Sequence, residues 1–158
     1  MRIVRIVQEC VATMTNINTF ISEHRSLANV SLDNLPSPFI VFDRPIDMAY
    51  QYRANNIEEV YDIVLIYGVY NENTQRDNPQ SVRDIEIESL RIETKRMVLN
   101  LDKHQEVKSV QFTQPMMDAY EFKFFDVKAC GILQYLRVVL LPMTEEVCAT
   151  YDPDLPII

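Results

Sequence analysis

The chain has 158 residues, 47% of them apolar and 24% charged, and 15 basic against 23 acidic side chains give it a formal charge of −8. That length and composition predict a single soluble domain burying about two-thirds of the surface its unfolded chain exposes. The acidic balance argues against gripping a nucleic-acid backbone, which needs clustered Lys and Arg, and with only Gly68 and Gly131 present no glycine-built phosphate loop is possible.

Ile3, Val7, Cys10, Met14, Ile17 and Ile21 follow steps of four and three, which predicts an amphipathic helix over residues 2–24. Residues 25–38, rich in Ser, Asn and Pro, read as a connection. FIVF at 39–42 is a short apolar strand ended by Asp43 and Pro45. Residues 46–57 read as a polar excursion, a hairpin arm turning at Asn55–Asn56. VYDIVLIYGVY at 60–70 is the strongest strand, apolar on both faces and therefore central in its sheet. A polar loop, 71–78, leads to the second helix.

That helix, 78–101, is expected to start with Asp77 or Asn78 as N-cap and Pro79 in its first turn. At about 100° per residue, Ile87, Leu90, Thr94, Met97, Val98 and Leu101 form one stripe. Val82, Ile85, Ile92 and Leu99 gather on nearly the opposite side, with Glu86 and Glu93 on one flank. A helix on a sheet needs one such stripe, so the second requires cover from the first helix or from a neighbouring subunit.

Residues 102–106 turn the chain, and strands follow at 107–113, 120–125 and 128–141, with Gly131 marking a bulge in the last. The expected fold class is α+β, ordered α-β-β-α-β-β, with a mostly antiparallel sheet covered by two long helices. The domain spans 1–141. Residues 142–158 form an extended, acidic, Pro-rich arm carrying four acids and no base, ending in Leu155, Ile157 and Ile158. The arm is either a free tail or a segment docked on a neighbour.

Catalytic signatures are missing. His24 and His104 stand alone near helix ends, and H-E-x-x-H, C-x-x-C and G-x-S-x-G patterns do not occur. Cys10, Cys130 and Cys148 are too widely spaced for a zinc site and odd in number, which suits a reducing compartment. Asp43, Asp47 and Asp62 are the one carboxylate set that can meet around a metal; solvated acids near turns are the alternative. Arg5, Gln8 and Glu9 interrupt any signal-peptide core, and the apolar run Ile63–Tyr70 is too short to span a membrane. The aromatics at 50–70 and 112–125 lack interleaved bases, which favours packing over base stacking.

A leading amphipathic helix, then PSPFIVFDRPID, EVYDIVLIYGVYN, the helix after Asn78 and KACGILQYLRVVLLP together resemble the tail-terminator and head–tail connector family of tailed bacteriophages. The pairing of F-I-V-F-D-x-P with Y-D-I-V-L-I-Y-G is similar to members from phages of gut Bacteroidetes, the crAss-like group included. The resemblance implies an α-β-β-α-β-β domain in a homo-oligomeric ring of six or twelve copies. It implies a virion location after assembly in the host cytoplasm, and neighbouring connector, portal-adaptor or tail proteins as partners. DNA passes through such a ring without sequence-specific binding. No cofactor, metal, membrane or catalytic role is implied. The expected subunit interface is Val82, Ile85, Ile92 and Leu99 with Leu155, Ile157 and Ile158. The rivals are a non-viral α+β ligand-binding or regulatory module, and a metal-dependent enzyme built on the three aspartates.

Overall fold

A computed structural model of the chain describes residues 2–22, 38–43, 47–53, 56–70, 80–119 and 129–142; the side chains of 53, 70, 80–83, 119, 129 and 130 fall outside that description. The elements are α1 (Arg2–Ala12), β1 (Thr19–Ile21), β2 (Phe39–Phe42), β3 (Asp47–Arg53), β4 (Asn56–Tyr70), α2 (Gln80–Lys103), β5 (Val107–Phe112), β6 (Met117–Ala119) and β7 (Ala129–Leu140). They form a mixed α+β fold with a seven-stranded, mostly antiparallel sheet. The expected order gains three short strands, β1, β3 and β6.

The sheet is built on the β4–β7 pair, whose register runs unbroken from Glu59↔Leu140 to Tyr70↔Ala129. Each long strand carries two shorter partners on its other edge. β2 and β3 flank the two halves of β4, and β5 and β6 flank those of β7. β1 adds parallel to β2. β4 is thus central, as its double-sided apolar pattern predicts. Tyr61, Ile63, Leu65 and Tyr67 join Ile132, Leu136 and Val138 in the helix-side core. On the opposite face Phe39, Val41, Ile66 and Val139 are buried too.

α1 ends at Ala12, well short of the expected residue 24. Thr13 Oγ1 donates to the Cys10 carbonyl at 2.8 Å, and the Met14 amide bonds back to Val11. The Thr13–Asn18 stretch offers side chains that compete for backbone groups, so the helix stops there. Met14 and Ile17 stay buried even so: the spacing identified core residues, though the backbone linking them is not helical. Of the two helices among the described residues only α2, 24 residues, is long.

The hairpin arm exists, with Arg53 and Asn56 as its last paired residues, so Asn56, expected in the turn, belongs to β4; Asn55 lies outside the described residues. Gly131 makes no bulge; it pairs in register between Gly68 and Ala119. The irregularity falls in β5 between Val107 and Ser109, where the extra residue Lys108 turns toward Glu58 of the hairpin. The helix cap at 77–79, the 120–125 strand, His24, Cys148 and the 143–158 arm lie outside the described residues, as does all of the 25–38 connection except Pro38.

Gly68 has a packing reason to be glycine. The Phe39 ring lies against it, and a Cβ there would come within 2.5 Å of Phe39 Cε2. Phe39 is buried and cannot swing clear. Gly68→Ala is expected to lower stability by about 1–3 kcal/mol in urea unfolding, with partial recovery when Phe39→Leu is added. An unchanged midpoint would contradict this packing.

Candidate functional site

α2 lies on the sheet through Ile87, Leu90, Thr94, Met97 and Leu101, all buried. Thr94 also anchors a buried polar link, its carbonyl accepting from Gln134 Nε2 at 3.2 Å while Tyr67 Oη donates to Gln134 Oε1. α1 and the turn after it pack along one flank, where Asn100 Nδ2 donates to the Cys10 carbonyl at 3.4 Å and to Thr13 Oγ1 at 3.1 Å, and Asn16 Nδ2 donates to Glu93 Oε1 at 3.1 Å. On the other flank Arg91 binds Glu88 and Asp118. α1 therefore sits beside α2 and does not cover its back.

That back carries Ile85, Ile92 and Leu99, which are 69%, 50% and 55% exposed. Their seven-residue spacing sets them in a row about 21 Å long. Val82 is on the same helix with its side chain outside the described residues, and Leu155, Ile157 and Ile158 lie outside them altogether. Glu93, on the flank between the two stripes, is buried; it accepts from Arg96 at 2.8 Å while its Oε2 lacks a partner among the described residues. At its C-terminal end the row runs into an apolar groove of about 340 Å³ lined by Thr94, Lys95, Val98, Leu99, Phe112 and Met116.

A second apolar surface occupies the β3–β4 hairpin, whose tip extends past the end of β7 by residues 56–58 and 51–53. Met48, Tyr50, Tyr52 and Ile57 share its helix-side face and are all exposed. Three ion pairs hold the hairpin base: Glu59 to Arg2 of α1, Glu58 to Lys108 of β5, and Asp62 to Arg137 of β7. The alternation Met48-x-Tyr50-x-Tyr52 was visible in the sequence. Read as a polar excursion or hairpin arm, the segment did not show that this alternation makes one exposed face.

The aspartate set does not assemble. Asp47 and Asp62 are register partners, but both Asp62 oxygens are taken by Arg137 at 2.8 and 3.0 Å, which holds the Asp62 carboxyl below its usual range. The group with metal-like spacing among the described residues is Glu9, His104 and Glu106. Its chemistry points to ion pairing. The Glu106 amide donates to His104 Nδ1 at 3.1 Å, leaving the ring proton on Nε2, 2.7 Å from Glu9 Oε2. A metal at Nε2 would drive that proton onto Nδ1, against the Glu106 N–H.

Arg5 fills the rest of the cluster, bonding Glu9 at 2.8 Å and Glu106 at 2.7 Å, while Arg2 reaches Glu106 at 3.2 Å. The His104 hydrogen bond, then Arg5, lowers the Glu9 carboxyl. Burial alone would raise Glu106, but bonds from Arg5 and Arg2 outweigh it and bring that carboxyl down. The two arginines lie at the positive end of α1, where helix dipole and charge oppose each other, and these carboxylates offset the conflict. Cys10 is buried and its thiol pushed up to about 11 by burial and by Glu9, so it is a packing residue and not a nucleophile.

No protein-family model matches the chain, and no curated protein matches it either. Among the described residues no helix is long and apolar enough to cross a membrane.

Two measurements check the charge assignment. Because Glu106 titrates below its ordinary 4.5 when folded, its stabilisation is complete above that pH and is lost as pH falls through the folded value. Glu106→Gln should cost roughly 1–2 kcal/mol at neutral pH and converge on the parent chain below pH 4.5; a pH-independent gap would contradict the pairing. Zinc titration should leave the melting temperature unchanged, and a saturable rise would contradict the tautomer derived for His104.

Proposed function

We propose that the chain is a virion structural protein that forms a homo-oligomeric ring in the head–tail connector or tail of a tailed bacteriophage, serving as DNA conduit and assembly adaptor. One observation carries this reading: α2 has a straight apolar row, Ile85–Ile92–Leu99, on the side turned away from the sheet, and α1 leaves it bare. Three large apolar side chains lie exposed on one line about 10 Å apart, with Ser89 and Arg96 close beside them, which suits a narrow, partly polar interface. Two helices on one face of a largely antiparallel sheet, in the order expected apart from the added short strands, agree with a tail-terminator-like arrangement.

In this reading the mechanism is assembly. Each copy covers its neighbour's α2 row through a head-to-tail contact that closes around an axis. Connector, portal-adaptor or tail proteins stack above and below. A charge of −8 per copy disfavours adhesion of DNA to the lumen, so that the duplex slides through with no sequence being read. The protein resides in the virion and has no catalytic role. A ligand-binding module is the second reading, favoured by the 340 Å³ apolar groove, which is at the small end of the size range for ligand sites.

Ile85→Asp with Ile92→Asp tests the leading reading. Both side chains are solvent-facing, so the melting temperature should stay within a few degrees of the parent. The parent should elute as a discrete ring by light scattering and the double variant as a monomer of about 18.5 kDa. A parent that remains monomeric at high concentration, and in reconstituted particles, would end this reading.

A further inference from the structure

We propose that the β3–β4 hairpin of one copy seats its Tyr50–Tyr52 face in the α2–β5 groove of the next copy. The proposal rests on the self-assembly reading and names the contact that reading leaves open.

The hairpin is shaped to be inserted. Its free end projects about 10 Å beyond the last β7 pairing, and its base is tied to α1, β5 and β7 by the Arg2, Lys108 and Arg137 ion pairs. An arm pinned on three sides loses little freedom on docking. Tyr50 and Tyr52 are 69% and 73% exposed, and with Met48 and Ile57 they present on the order of 400–500 Å² of apolar surface.

The groove is shaped to receive it, but not from its own chain. Phe112 is level with Ile63 through Leu136, seven residues from the hairpin end at Asn56, so about 23 Å of strand separates them. They also lie at opposite edges of the sheet, with β4 and β7 between. A rigid hairpin cannot fold back across that distance.

Two different apolar surfaces on opposite edges favour a second copy as occupant. A second copy brings both surfaces at once: a head-to-tail contact covers each with one kind of joint, and an exchange of hairpins about a two-fold axis does the same within a dimer. The hairpin and groove sides together supply the apolar core of an interface in the roughly 1,200–2,000 Å² class. The two surfaces also differ in charge: Asp47 stands on the hairpin, whose Glu58, Glu59 and Asp62 are paired with Lys108, Arg2 and Arg137, while the C-terminal half of α2 carries Lys95, Arg96 and Lys103 against Glu93 and Asp102. Lys95 itself stands on the groove rim.

The test is a mixing experiment on the full chain. Tyr50→Ser with Tyr52→Ser disables the hairpin; Phe112→Ser with Met116→Ser disables the groove and leaves the α2 row intact. All four side chains are exposed, and circular dichroism melts confirm that both variants fold. Each variant alone should self-associate at least tenfold more weakly than the parent. Mixed in equal amounts they should form a dimer that grows no further in sedimentation velocity, because only one intact hairpin and one intact groove can meet. Variants that assemble like the parent, or a mixture that stays monomeric beside an assembling parent, would overturn the hairpin contact while sparing self-assembly. A parent that never assembles would overturn both.

Discussion

A helix laid on a sheet can turn only one side inward, and α2 is apolar on two. The inward side is satisfied by Tyr67, Leu136 and their neighbours in one continuous core. The other side can be satisfied within the chain only by an element lying across the helix's back. Among the described elements α1 is the candidate, yet it stops after 11 residues and, with the turn that follows it, takes the flank at Asn100 and Glu93. The energetic consequence is simple: each large apolar side chain left in water forgoes roughly 1.5–3 kcal/mol of burial. A row of three therefore represents a substantial free energy that association can recover.

The charged residues fix α1 in its place beside α2. Arg2 and Arg5 bind α1 to Glu59 and Glu106, and Arg2 also donates to the Leu141 carbonyl at 3.1 Å. These contacts join the first helix, the hairpin base, the turn after α2 and the end of β7. Individually such partly exposed pairs contribute little; as a network they set where α1 lies and hold the hairpin extended. The same residues that look like an acid–base or metal cluster are accounted for by this positioning role.

Much of the fold was legible in the residues, and the failures are instructive. Alternation over 60–70 located β4 and its central position, because strand periodicity and burial coincide there. Periodicity over 2–24 located the core residues Ile3, Val7, Cys10, Met14 and Ile17 but not the helix end, since Thr13–Asn18 breaks the backbone pattern without moving the side chains out of the core. The helical wheel set Glu93 on a flank without showing its burial; Asn16 and Arg96, far and near in sequence, are what make that burial tolerable. The outward row of α2 was legible because a helical wheel needs only local information. The groove was not, and the hairpin face showed only as an alternation, because the exposure of each depends on which strands become edges, and that is decided by pairing between distant segments.

The most direct measurement of the central claim is a single-particle reconstruction of the purified full-length chain. The account requires a closed symmetric particle in which Ile85, Ile92 and Leu99 of every copy lie against the adjacent copy. A particle in which that row faces solvent, or a preparation holding isolated monomers alone, would contradict it.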